Sequence, residues 1–322
     1  MNLLQLARQA QFEIDALRTG NVASALWSAE EVYAAINTAA DSAYRIARLV
    51  GSDIVTKTLL STDAAVDLIT ESYAPSSLRL VSGTIDYTMP PDVVSIVNIA
   101  PITSGFDGIM FKPLRPNQKT YVDQRVIPSA ELGTVVDSEA NFFFFPIGRR
   151  TLRIVPTPQD TIDIEFIYNY RPPKLMTYST GTIEITAGAP TTVTGTSTVW
   201  VDVGLRTPAE YINGTVATVV DLGLYYPTIS SFTSNTVLTL SKSHATVAAS
   251  GAYRIAMVPV LPEQHHAWLA QMAAAVLFRK VNLETSNQAI TNLEKQLLTE
   301  IKPEIEQRQI MESIPVEPYE LP

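Results

Sequence analysis

Val260–Phe278 reads VLPEQHHAWLAQMAAAVLF, and it sets two of the chain's three histidines side by side ahead of an almost unbroken apolar run. A helix that holds a metal through two histidines spaces them at i and i+4 on one face, whereas neighbours point about 100° apart. His265 and His266 are therefore badly placed to share an ion. Pro262 suits a first helical turn and Glu263 its positive end, while Leu269, Met272 and Val276, with Ala273 and Leu277, form a stripe at helical spacing. The stretch reads as the opening of a buried helix, with His265 one turn above Leu269 as an amphipathic lid. The third histidine, His244, has no acidic or histidine partner close in sequence.

Composition narrows the function classes. The 322 residues exceed one ordinary core and imply two domains or three. With 46% hydrophobic against 17% charged residues, the chain has the apolar surface to fold. A net charge of −9 argues against a basic nucleic-acid groove, because phosphate binding needs clustered Lys and Arg. The absence of cysteine removes disulfides, thiol catalysis and zinc–thiolate sites. MNLLQLARQAQFEID turns polar too early for a secretory core, and AAAVLF falls far short of a membrane span of about 20 residues, so the expectation is a soluble protein without a membrane partner.

Outward from Val260–Phe278, the chain changes texture. Leu3, Leu6, Ala10, Ile14 and Leu17 recur at helical steps, and Gly20 is placed to end that helix. In WSAEEV, Ser28 and Glu31 form a capping-box pattern flanked by the staple pair Trp27 and Val32. The stripe Val32, Ile36, Ala39, Ala43, Ile46 and Val50 follows, closed by Gly51. A third helix is expected over Thr62–Tyr73, with Asp63 and Asp67 at its positive end and Pro75 stopping it. IDYTMPPDVVSIV, FFFFPIG, LRIVPTP and IDIEFIYNY then read as strands of a half-buried sheet. For Phe142–Phe145 a strand buried on both faces is the commoner reading, and an exposed binding patch the alternative.

From Gly181, TIEIT, TTVTG, VATVV, TVLTLS and AYRIAMV recur at hairpin spacings, and Asn213-Gly214 is a two-residue turn signal. They spell a small all-β sandwich or barrel with a strand at each boundary, which an inserted domain requires. The fold class is α+β: a helical bundle, a small antiparallel β domain and an inserted all-β domain. The boundaries read 1–83 for the N-terminal helical part, 84–178 for the β domain and 179–257 for the insert. Residues 258–310 are helices completing the bundle, and 311–322 an extended tail.

Catalytic and cofactor signatures are missing: no phosphate loop, dinucleotide fingerprint, nucleophile elbow or EF-hand spacing is present. Glu30 and Glu31 are better explained by capping than by acid/base work. Asn213-Gly214-Thr215 matches a glycosylation sequon, but without a secretion signal it is a turn. No enzyme activity and no cofactor are expected. After Phe278, Ile290, Leu293, Leu297 and Ile301 repeat at helical steps on a charged helix that Pro303 should bend or end. One narrow stripe needs one partner, either this chain's own helices or another chain. SIPVEPYELP then holds three prolines and reads as extended, a tail without function or a docking arm.

Four runs in order, WSAEEVYAAINTAADSAYRIARLV, GTIDYTMPPDVVSIVNIAPI, LRIVPTPQDTIDIEFIYNYRPPKL and VLPEQHHAWLAQMAAAVLFRK, resemble the head-to-tail adaptor (connector, head completion or neck) proteins of tailed bacteriophages. The resemblance covers most of 1–175 and 258–310. It implies a homo-oligomeric, dodecameric ring beneath the portal protein, docked by C-terminal segments. The ring would extend a DNA channel without sequence-specific binding and offer a platform to tail or neck proteins. The location implied is the virion neck, with assembly in the host cytoplasm. The docking residues expected here are Ile290, Leu293, Leu297, Ile301, Ile305, Ile310, Pro315 and Tyr319. GAPTTVTGTSTVW and the strands after it resemble a small β module of phage structural proteins, and many adaptors lack it between RPPKL and LPEQHHAW. It is expected to project from the ring and contact tail, fibre or capsid proteins. An alternative is a tail-associated module recognising carbohydrate or a receptor, with Trp200, Tyr211, Tyr225 and Tyr226 as stacking surface.

Overall fold

A computed structural model of the protein describes residues 1–17, 27–68, 71–104, 109–114, 141–185, 191–205, 209–213, 228–241, 247–251 and 253–312. The chain forms two compact units, one made of Met1–Ile54 with Pro173–Pro322 and the other of Val55–Pro172. Its fold class is α+β.

Among the described residues, the first unit holds the helices α1 (Leu3–Leu17), α2 (Ala29–Val50), α3 (His266–Phe278) and α4 (Leu283–Glu312). Alpha3 packs against the other three. Trp268, Leu269, Ala270, Met272, Ala273, Ala274, Ala275 and Leu277 are all buried, so the helix is buried on nearly every side rather than along one stripe. The start of α2 forms as its sequence predicts. The Ser28 hydroxyl accepts from the Glu31 N–H at 3.2 Å and the Glu31 carboxylate accepts from the Ser28 N–H at 3.0 Å. Gly51 closes the helix in the left-handed region at φ 76°, where a glycine carries no steric penalty. Gly20 lies outside the described residues.

Its described residues also form the strands β10 (Thr177–Tyr178), β11 (Thr182–Ile185), β12 (Thr192–Thr196), β13 (Ala209–Asn213), β14 (Thr228–Phe232), β15 (Val237–Leu240), β16 (Val247–Gly251) and β17 (Tyr253–Met257). Their order is β10-β17-β13-β14-β15-β12-β11-β16. Beta16 and β17 are consecutive in the chain yet lie far apart in that order, so the sheet has to roll over on itself to join them. Thr177 pairs with Ala256 and Tyr178 with Ile255, which puts the entry and exit of this β part side by side.

The second unit contains a three-stranded sheet, β1 (Thr56–Leu60), β9 (Ile164–Tyr170) and β5 (Val93–Pro101), in the order β1-β9-β5. It also contains a four-stranded sheet, β4 (Asp86–Thr88), β8 (Thr151–Val155), β7 (Asn141–Ile147) and β6 (Met110–Pro113), in that order. Phe142, Phe144 and Phe145 are buried and Phe143 is partly exposed, so the four-Phe strand serves the core on both faces.

The helix expected over Thr62–Tyr73 does not form. Val66–Leu68 (β2) and Glu71–Tyr73 (β3) pair antiparallel instead, so strands begin well inside the stretch read as helical. Asp63 closes a turn after β1: its N–H donates to the Leu60 carbonyl at 3.0 Å and its carboxylate accepts from the Leu60 N–H at 2.8 Å. Serine, threonine and aspartate make such local bonds in place of helical ones, and β-branched residues follow them here.

The Asp92 carboxylate is fully buried and meets the Lys57 ammonium at 2.8 Å. The Tyr168 hydroxyl donates to it at 3.1 Å, and the Asp92 carbonyl accepts from the Arg171 N–H at 2.9 Å. One residue thus ties β1, the turn before β5 and the end of β9. Burial first, then the Asp92 charge, pushes the Tyr168 hydroxyl pKa upward and keeps it a donor.

Removing the Asp92 carboxylate leaves Lys57, a third exposed, to be solvated but strands the buried Tyr168 hydroxyl without its acceptor, a larger loss than the roughly 1 kcal/mol of a capping hydroxyl. Asp92→Ala is accordingly expected to lower the unfolding midpoint in urea far more than Ser28→Ala does, with both variants still folded at low denaturant.

Candidate functional site

The two histidines that open the sequence are both buried, His265 2% and His266 3% exposed, and they face different partners as their spacing requires. The His266 Nε2–H donates to the Leu261 carbonyl at 2.8 Å, and Nδ1 accepts from the Met1 ammonium at 2.6 Å. His265 Nδ1 stands 3.4 Å from a Glu300 carboxylate oxygen. Burial, then the nearby ammonium, pulls the His266 pKa below the ordinary histidine value, so the ring is held neutral. His265, expected as an amphipathic lid one turn above Leu269, has its ring inside: Pro262 is extended at φ −53°, ψ 147°, and the Glu263–His265 turn follows it, with the ring beside Glu300 of α4. Among the described residues no cluster of three His, Asp or Glu side chains could hold a metal. His244 lies outside them.

The stripe on α4 packs within its own unit. Leu297 and Ile301 are buried, Ile290 and Leu293 are half-buried, and the Leu293 carbonyl accepts from the Trp268 indole at 2.7 Å. Of the expected portal contacts, Leu297 and Ile301 thus lie in the bundle core, while Ile290 and Leu293 keep part of their surface. Pro303 does not end α4, which continues to Glu312 and carries Ile305 and Ile310 beyond it. Pro315 and Tyr319 lie outside the described residues.

Two ion pairs, one from the turn just before α4 and one from α4 itself, fix how α2 and α4 run. Lys280 pairs with Glu31 and Arg45 with Glu294, the second at 2.7 Å, and both pairs are separated by 249 residues. The helices are thus parallel and in step. By that register Ile301 stands level with Ser52, just past the Gly51 cap, and residues 302–312 run about 16 Å beyond it at 1.5 Å per residue.

In the β part, Trp200 is wholly buried; its indole donates to the Tyr253 hydroxyl at 2.9 Å with the rings edge to face. It is corrected from a contact residue to a core residue, since a buried indole needs a partner for its N–H and finds one here. Tyr211 lies in β13 opposite Ile255. Tyr225 and Tyr226 lie outside the described residues, as does Gly214 of the expected turn.

Two anchors were not read from the sequence. The Asn37 side chain, midway along α2, donates to the Leu175 carbonyl at 3.0 Å and accepts from the Leu175 N–H at 2.7 Å. The Tyr44 hydroxyl, two turns on, accepts from the Val260 N–H at 3.3 Å. Alpha2 therefore grips the chain on both sides of the β part. The only available signal was an asparagine interrupting a helical stripe, where side-chain amides are otherwise unfavourable.

The chain belongs to the SU10 adaptor protein family, whose model matches residues 1–220. That match runs past residue 179 into the β part, and α3 and α4 lie beyond it. No curated protein matches the chain. No helix among the described residues is long and apolar enough to cross a membrane.

The His266 pKa fixes a sign. A histidine whose folded pKa lies below its unfolded value near 6.5 favours the native state fully above that pH and loses this contribution as pH falls toward the folded value. Thermal unfolding midpoints should fall below about pH 6.5, and His266→Gln should flatten that slope when melting is followed from pH 8 to 5.

Proposed function

We propose that the chain is the repeating subunit of a ring in the neck of a tailed-phage virion. The ring docks on the portal, extends the DNA channel and presents the β part to tail or neck proteins. Membership of the SU10 adaptor family over residues 1–220 carries this reading. The copy number that accompanies it is twelve, from the adaptor resemblance alone. A chain of net charge −9 suits passage of DNA, since weakly repelling walls do not grip phosphates.

Portal docking falls to the end of the chain rather than to the whole stripe. With Leu297 and Ile301 buried, the residues left for a partner are Ile305, Ile310, Pro315 and Tyr319, on the part of α4 that outruns α2 and on the segment after it. The paired ends at Thr177–Ala256 support carriage of residues 179–257 as an inserted module, and the Asn37 and Tyr44 anchors would hold its stem. The carbohydrate-binding alternative loses its strongest aromatic, because Trp200 is in the core.

Mass measurements on the purified protein alone and mixed with portal test the assembly; a ring on the portal is expected, and one-to-one or no association would refute it. A chain cut after Lys302 is expected to remain folded and lose portal binding at least tenfold. Replacing Gly181–Ile255 by a short linker is expected to leave the ring intact and abolish binding to tail or neck proteins.

A further inference from the structure

Phe12 lies on the face of α1 turned away from the bundle. Leu6, Ala10 and Ile14 are buried, yet Phe12, about 160° round the helix from Ala10, is 73% exposed. Val281 and Leu283, where α3 turns into α4, are likewise 51% and 62% exposed. That turn is held in one shape. The Val281 and Asn282 N–H groups both donate to the Phe278 carbonyl, at 2.9 and 3.0 Å, and the Asn282 side-chain carbonyl accepts from the Thr285 N–H at 3.1 Å.

These apolar points share one level on opposite flanks of the bundle. Alpha1 and α4 each pack on α2 and α3 but scarcely touch one another, so they stand on either side of that pair. Alpha1 starts beside the start of α3, where the Met1 ammonium meets His266, and packs along it, so the two run in the same direction. Eleven residues on from that contact in each helix, Phe12 is about level with Leu277. Alpha3 and α4 run antiparallel in one register, since Trp268 bonds Leu293 and Ser286 bonds Ala275. Continued two residues, that register brings Leu277 opposite Glu284, and Leu283 is about 1.5 Å from there.

We propose that Phe12 of one copy seats against Val281 and Leu283 of the next, a head-to-tail contact between neighbouring subunits. The proposal rests on the ring reading above. A contact repeated in one rotational sense needs two different patches on opposite sides of the subunit, whereas a partner of another sequence needs only one. The charges beside the patches are complementary: Glu13 follows Phe12, Arg279 lies two residues before Val281, and neither has a partner among the described residues. Copies that each carry −9 repel at long range, so an apolar anchor with a local attraction is the contact that suits them. One aromatic is an anchor and not a whole interface, but each subunit of a closed ring is held on two sides, which multiplies a weak contact.

Because the chain contains no cysteine, introduced ones report this contact without background. Under conditions in which mass measurement shows wild-type rings on portal, the full chain carrying Phe12→Cys and Leu283→Cys is oxidised mildly. It is compared with Phe12→Cys and Leu298→Cys, whose second site is 42% exposed but about 22 Å further along α4. The first pair is expected to give a ladder of disulfide-linked oligomers at least tenfold faster than the second. Equal rates would overturn the proposal, and so would equally fast dimers from Phe12→Cys alone, which would mark a two-fold contact. Phe12→Gln is expected to keep the wild-type unfolding midpoint and to weaken ring formation at least tenfold; an unweakened ring would also overturn it. Wild-type rings without the cross-link refute this contact and leave the ring reading standing, whereas no wild-type ring refutes both.

Discussion

A helix that is apolar on nearly every side can exist in water only if other elements enclose it, and α3 imposes that demand on its whole unit. Four alanines, Ala270, Ala273, Ala274 and Ala275, let α1, α2 and α4 approach closely, while Trp268, Leu269, Met272 and Leu277 fill the space between. Polar groups drawn in with them find partners. The Trp268 indole uses a carbonyl of α4, the Ser286 hydroxyl donates to the Ala275 carbonyl at 2.6 Å, and His266 bonds at both nitrogens. Enclosing α3 draws in the apolar faces of its neighbours, and Leu297 and Ile301 of α4 are fully buried in doing so.

Local rules were legible wherever a short motif decides the structure. The capping box at Ser28 and Glu31, the Gly51 cap and the helical stripes of α1 and α2 form as their residues dictate, because each rests on bonds within one or two turns. The two histidines turn apart for the same reason. The stretch Thr62–Tyr73 was illegible in this way. Its acids resemble a helix start, but strand pairing between β2 and β3 and the Asp63 turn prevail, and neither has a helical or strand period long enough to register.

Long-range use of a residue is where sequence reading ends. Nothing in PPDVV marks Asp92 as the buried partner of Lys57, 35 residues away, and nothing in the α4 stripe tells whether a cognate helix or a foreign protein will cover it. Trp200 shows the converse, since an aromatic in a threonine-rich loop can be a stacking surface or a core. Only the Tyr253 hydroxyl beside its indole distinguishes them. The anchors at Asn37 and Tyr44 are likewise tertiary, and they turn α2 from a wall of the bundle into the mount for the β part.

The common spacing of the Glu31–Lys280 and Arg45–Glu294 pairs has a consequence for how such chains change over time. Between the anchor points at Leu175 and Val260 the chain is free to gain or lose whole modules, because the count of residues there does not alter the alignment of the two helices. Within Glu31–Arg45 and Lys280–Glu294 the reverse holds. A single residue inserted between the two bridges within α2 would shift one part of that helix by about 1.5 Å and 100° against its mate, so that the two bridges could no longer form together. Length variation among relatives should thus concentrate in the middle of the chain, while these two spans keep one shared length.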